Sequence, residues 1–73
     1  MTSYNGHRSW NAWNVSLWIS NDETIYKTAN EFVRKHGKEK AARHLFRILG
    51  GSKTPDGATY NHRSIRDALR GWA

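Results

Sequence analysis

Three tryptophans within nine positions, Trp10, Trp13 and Trp18, constrain this chain more than any other feature. They lie in Ser9-Trp10-Asn11-Ala12-Trp13-Asn14-Val15-Ser16-Leu17-Trp18-Ile19-Ser20, a stretch that carries two periods at once. Trp13, Val15, Leu17 and Ile19 alternate with Ala12, Asn14, Ser16 and Trp18, as in a strand with one buried face. Trp10, Trp13, Leu17 and Trp18 also fall at i, i+3, i+7 and i+8, the spacing of one helix face, and Ser9 stands where an N-cap would. A strand needs a partner and this sequence offers none, while an isolated strand or hairpin is marginal in water. A helix over 9–20 is therefore expected.

The aliphatic supply is thin, with two valines, four leucines and four isoleucines in 73 residues. Some of the four tryptophans are expected in the core, where they would replace the missing aliphatic volume. Three indoles exceed what one short helix can bury, so Trp10 is a candidate interface anchor. There is no cysteine, hence no disulfide and no thiolate zinc site. A chain of this length makes one lean domain, and a single core of this size rarely supplies more than about 3–5 kcal/mol of net stability. Such a core has little room for an enzyme pocket; a small binding protein, not an enzyme, is expected. No apolar run is long enough for a membrane span or signal core, and Met1-Thr2-Ser3-Tyr4-Asn5-Gly6 has no targeting character. A bacterial cytoplasmic monomer without a membrane partner is the expectation.

Residues 1–8 are polar and read as a flexible N-terminal arm; residues 9–73 read as a single small helical domain. Asn21-Asp22-Glu23 offers an N-cap and an acidic first turn. Ile25, Tyr26, Ala29, Phe32, Val33 and His36 follow as one apolar stripe, and Arg34 and Lys35 precede a stop at Gly37. This predicts a helix over 22–36. A second helix over 38–49 buries Ala41, Ala42, Leu45, Ile48 and Leu49, with Phe46 at its edge, and ends at Gly50-Gly51. Thr54-Pro55-Asp56-Gly57 is a turn, because proline presets φ and glycine supplies a positive one; Ala58-Thr59-Tyr60 is briefly extended after it. Ser64-Ile65-Arg66-Asp67 resembles a capping box opening a last helix that carries Ile65, Ala68, Leu69 and Trp72. The fold class is mainly α, with about four short helices.

The net charge is +6, a field that favours acidic partners, although charge of this size also serves solubility. Seven of the twelve basic residues fall within 34–53, where Glu39 is the sole acid. Arg34, Lys35, Lys38, Lys40, Arg43 and Arg47 form a candidate basic face toward RNA or an acidic surface. The four histidines, His7, His36, His44 and His62, match no zinc spacing, so no metal or other cofactor is expected. No Ser/His/Asp constellation stands out, and Gly50-Gly51 does not lead into a Walker Gly-Lys-Ser/Thr; no catalytic residue is assigned. Helix, Gly37 and helix over 22–49 also fit a basic helix-turn-helix DNA-binding repressor. The second helix of that unit has no Asn or Gln to read adenine, which predicts salt-sensitive contact without sequence reading.

Tyr4-Asn5-Gly6, the run from Ser9 to Asp22, and Thr54-Pro55-Asp56-Gly57 together resemble a family of small Trp-rich phage- and plasmid-encoded proteins. The shared pattern is Tyr-Asn-Gly followed by Trp-x-x-Trp-Asn-Val-x-Leu-Trp-Ile-x-Asn-Asp. Within it the chain is similar to small phage transcription regulators that bind host RNA polymerase. The resemblance implies a partner, the N-terminal end of the polymerase β′ subunit near the RNA exit channel and the β flap. It implies inhibition of host initiation, by interference with sigma factor, and antitermination, with nascent RNA or an elongation factor nearby. On that view Tyr4, Asn5, His7, Arg8, Ser9 and Trp10 are the candidate polymerase contacts, in the host bacterial cytoplasm.

Overall fold

A computed structural model describes residues 7–72. It contains four helices: α1 (Trp10–Asn21), α2 (Glu23–His36), α3 (Lys38–Leu49) and α4 (His62–Leu69). The class is mainly α, as the sequence predicts. The ambiguous segment is helical: the Ser9 side chain accepts the Ala12 N–H at 3.1 Å and starts α1. Asp22 both ends α1, donating its N–H to the Trp18 carbonyl at 2.9 Å, and caps α2, accepting the Ile25 N–H at 3.0 Å. A single residue, Gly37, with φ +86°, links α2 to α3.

The last helix begins two residues before Ser64. Asn61 is its N-cap; its side chain accepts the Ser64 N–H at 2.8 Å, and the Ser64 hydroxyl oxygen accepts the Asn61 N–H at 3.2 Å. The capping box therefore pairs Asn61 with Ser64 rather than Ser64 with Asp67, because Ser64 is third in the helix. Asp67 is left for other partners. Trp72 lies beyond α4 and folds back against the core, its ring 5.3 Å from Tyr26.

The helices pack in a closed ring, α1 on α2, α2 on α3, α3 on α4 and α4 on α1. Val15, Ile19, Leu45, Ile65, Leu69 and Tyr60 fill the centre. No tryptophan among the described residues is fully buried: Trp13, Trp18 and Trp72 are half-buried and Trp10 is exposed. The expectation that indoles replace aliphatic volume is thus corrected. Six buried alanines, Ala12, Ala29, Ala41, Ala42, Ala58 and Ala68, supply the reason. Short side chains at helix contacts let the axes approach, so the core needs less filling. Phe32 and Ile25 pack at its margin, whereas Tyr26, Phe46 and Ile48 stay exposed. Burial, reinforced by the negative charge of Asp22, pushes the Tyr60 phenol above its ordinary 10.0.

Candidate functional site

Asn11, Asn14 and Trp18 recur at i, i+3 and i+7 and so share one face of α1. They grip the loop between α3 and α4. Within that loop a miniature hairpin forms: Lys53 bridges Thr59, and the Thr54 N–H bonds the Ala58 carbonyl at 2.8 Å. Gly57 turns it with φ +97°. Asn11 reads the loop backbone twice, accepting the Thr59 N–H at 2.8 Å and donating to the Thr59 carbonyl at 3.0 Å. Asn14, 1 % exposed, accepts the Thr54 hydroxyl at 2.6 Å and donates to Asp56 at 2.8 Å. The Trp18 indole N–H donates to the same Asp56 oxygen at 2.9 Å. Bonds from Asn14 first and Trp18 second favour the charged form and hold the Asp56 carboxyl below its ordinary 3.8. The Trp motif and Thr54-Pro55-Asp56-Gly57, far apart in sequence, are thus two halves of one latch.

The main cleft lies elsewhere, between α3 and α4. Its volume is about 550 Å³, and Arg8, Lys38, Arg63, Arg66 and Arg70 line it together with Glu39, His62 and Asp67. Part of this charge is internally compensated. Arg66 donates to Glu39 at 2.9 Å. Asp67 bonds the His7 ring through Nδ1 and lies 3.5 Å from the Arg70 guanidinium. Lys38 donates to the Arg70 carbonyl at 2.7 Å and has no carboxylate partner among the described residues. Arg8 and Arg63 have no carboxylate partner among the described residues. The same two arginines also line an adjoining recess between the starts of α1 and α4.

At one wall His62 meets Phe46 edge-on, with ring centroids 5.8 Å apart. Phe46 is 42 % exposed. Gly50 makes room for it, since a Cβ there would fall 2.9 Å from the ring and 2.4 Å from the Phe46 carbonyl. The His62 Nε2 is buried with no hydrogen-bond partner among the described residues.

The residues expected to contact polymerase do not form one exposed set. Tyr4 and Asn5 lie outside the described residues. His7 is tied to α4 through Asp67, so the expected arm joins the body at least from this residue on. Arg8 lines the cleft, Ser9 uses its hydroxyl as a cap, and Trp10 is 41 % exposed. The expected basic face also divides. Lys40, Arg43 and Arg47 are exposed on one side of α3, while Arg34 and Lys35 sit at the end of α2, where Lys35 approaches Glu31 at 3.7 Å. Lys38 belongs to the cleft. Linear clustering therefore missed Arg63, Arg66 and Arg70, which α4 brings against α3. The only early signal for them is their spacing of three and four residues, which places them on one helix face.

Among the described residues no group of three or more His, Asp or Glu side chains is placed to hold a metal ion. His44 instead stacks on Phe32 at 3.7 Å. No helix among the described residues is long and apolar enough to cross a membrane.

Residues 1–69 match a family of unknown function (DUF7249). No curated protein and no solved structure matches the chain.

Proposed function

We propose that this chain, which belongs to that family of unknown function, is a small regulatory binding protein of the bacterial cytoplasm that docks on RNA polymerase and has no catalytic role. The observation that carries this reading is the arrangement at the start of α1. An exposed indole, Trp10, stands two residues from Arg8, which opens onto the cationic cleft. Exposed aromatics and arginine are the residue types that anchor protein interfaces, and a cationic surface beside them suits a partner that carries nucleic acid. The sequence resemblance supplies the partner: the β′ N-terminus, near the RNA exit channel and the β flap. Bound there as a monomer, the protein interferes with sigma factor at initiation and disfavours terminator hairpins during elongation. Lys40, Arg43 and Arg47 would then face an elongation factor or an acidic polymerase surface.

A helix-turn-helix repressor fits less well. One residue separates α2 from α3, where that motif uses a turn of roughly three to four. The exposed positions of α3 carry long cations, Glu39, Phe46 and Ile48 rather than amides that read base edges.

Affinity capture of bacterial RNA polymerase on the immobilised full chain tests the proposal. The wild type retains polymerase, and the triple variant Tyr4→Ala, His7→Ala, Trp10→Ala, with helicity checked by circular dichroism, loses it. Retention by the folded triple variant refutes this docking surface. Specific capture of duplex DNA at moderate salt, without polymerase, would favour the repressor.

A further inference from the structure

We propose that the α3–α4 cleft is a binding site for single-stranded nucleic acid, with Arg8, Lys38 and Arg63 on the phosphates and Phe46 as the platform for a base. This deepens the polymerase reading by assigning the surface that meets a nascent strand, yet it stands on the chemistry of the cleft alone.

Three features converge. Glu39 pairs with Arg66, and Asp67 with His7 and Arg70, so the acids of the cleft are engaged within the fold. Arg8, Lys38 and Arg63 line the cleft without a carboxylate partner among the described residues. Second, the cleft holds about 550 Å³ and continues past Arg8 and Arg63 into the recess of about 140 Å³ between α1 and α4. That path suits an extended strand. Third, Phe46, an exposed ring, stands edge-on against His62, which itself lines the cleft. A cationic groove beside an accessible aromatic ring is the combination that single strands use, because every unpaired base has a π face to stack. A duplex hides those faces. An acidic peptide would satisfy the arginines but would leave Phe46 without a role.

Fluorescence anisotropy of a labelled twelve-nucleotide oligouridine against the full chain tests this, beginning at 50 mM salt. Three phosphate contacts predict that log affinity falls with log salt at a slope of about −2, at about 0.7 per contact. The double variant Arg8→Ala, Arg63→Ala should bind roughly tenfold more weakly and with a flatter slope. Phe46→Leu, which keeps the apolar bulk and removes the ring, should bind roughly fivefold more weakly with the slope unchanged. The comparison is Lys40→Ala, Arg43→Ala, which removes the same charge from the outer side of α3 and should change affinity less than about twofold, as expected for charges outside the contact set. All altered side chains are exposed, and equal thermal midpoints confirm that each variant is folded.

Tighter binding of oligouridine than of oligodeoxythymidine assigns the strand as RNA; equal binding assigns it by phosphate and base chemistry alone. The proposal is overturned if the wild type does not bind at 50 mM salt, or if the outer-face variant loses as much as the cleft variant. Preference for a duplex, or displacement by polyglutamate as readily as by unlabelled oligouridine, overturns it too. Polymerase capture by the Arg8→Ala, Arg63→Ala protein is measured separately. Loss of oligonucleotide with capture intact separates the cleft from the docking surface.

Discussion

The two polar regions of this small molecule are built on opposite terms. The latch between α1 and the 52–60 loop is made of neutral amides, a hydroxyl and one carboxylate, and each polar side chain in it has a partner inside the fold. The α3–α4 cleft is made of long cations, three of which have no carboxylate partner among the described residues. Buried polar groups stabilise only when satisfied, so the latch is where the fold is held. Exposed charges contribute little to stability, so the cleft is free to serve a partner. Of the Trp-rich run on α1, Asn11, Asn14 and Trp18 thus serve the structural region, while Trp10 stays exposed. The cations of the cleft are scattered along the chain.

The contrast can be broken or sharpened by substitution. The largest effect is expected for Asn14→Ala, which strips the buried Thr54 hydroxyl of its acceptor and Asp56 of a donor. It should lower stability by about 2–3 kcal/mol, read as a lower urea midpoint with an unchanged slope. A loss under about 0.5 kcal/mol would mean that the latch is ornamental, since that is the range of surface changes. Thr54→Val should cost about 1–2 kcal/mol, because the hydroxyl also accepts the Ala58 N–H.

A smaller effect should appear with pH. Asn14 and Trp18 hold the Asp56 carboxyl below its ordinary 3.8 in the folded state, so the unfolded chain takes up this proton first as pH falls. The stabilisation is complete above the ordinary value and is lost as pH drops through the lower, folded one. Urea midpoints measured across this acid range should therefore fall more steeply for the wild type than for Asp56→Asn. Parallel curves would remove Asp56 from the latch. The smallest effect belongs to the cleft: Glu39→Gln, which removes an exposed ion pair with Arg66, should shift stability by less than about 0.5 kcal/mol.

The sequence revealed the two halves of the molecule unequally. Helices α2 and α3 were legible from local rules, because Asp22 caps one, Gly37 separates them, and Ala29, Val33, Ala41, Ala42 and Leu45 repeat at helical spacing. Helix α1 resisted a single reading because only part of its surface meets apolar neighbours. Asn11, Asn14 and Trp18 occupy a second inward face that binds polar backbone, which blurs the apolar stripe. The tryptophans misled for the same reason: Trp18 faces in but serves as a donor at the rim of the fold. The start of α4 was misplaced because Asn61 and Ser64 are both good caps and only geometry ranks them. The cleft was illegible as a unit. Arg8, Lys38 and Arg63 are drawn from three parts of the chain, and a linear count of charge favours 34–53 instead.

The latch also fixes an order of events. Its side-chain bonds join residues 38 to 48 positions apart, and the His7–Asp67 tie spans 60, whereas α2 and α3 are joined by one residue. Contacts of long sequence separation must first overcome the entropy of closing the chain. The α2–α3 hairpin is therefore expected to assemble early, and the latch between α1 and the α3–α4 loop to shut last. Weakening that latch at Asn14 should leave the folding rate nearly unchanged and appear as faster unfolding. A protein of this size then owes its lifetime, more than its speed of formation, to two asparagines and a tryptophan on its first helix.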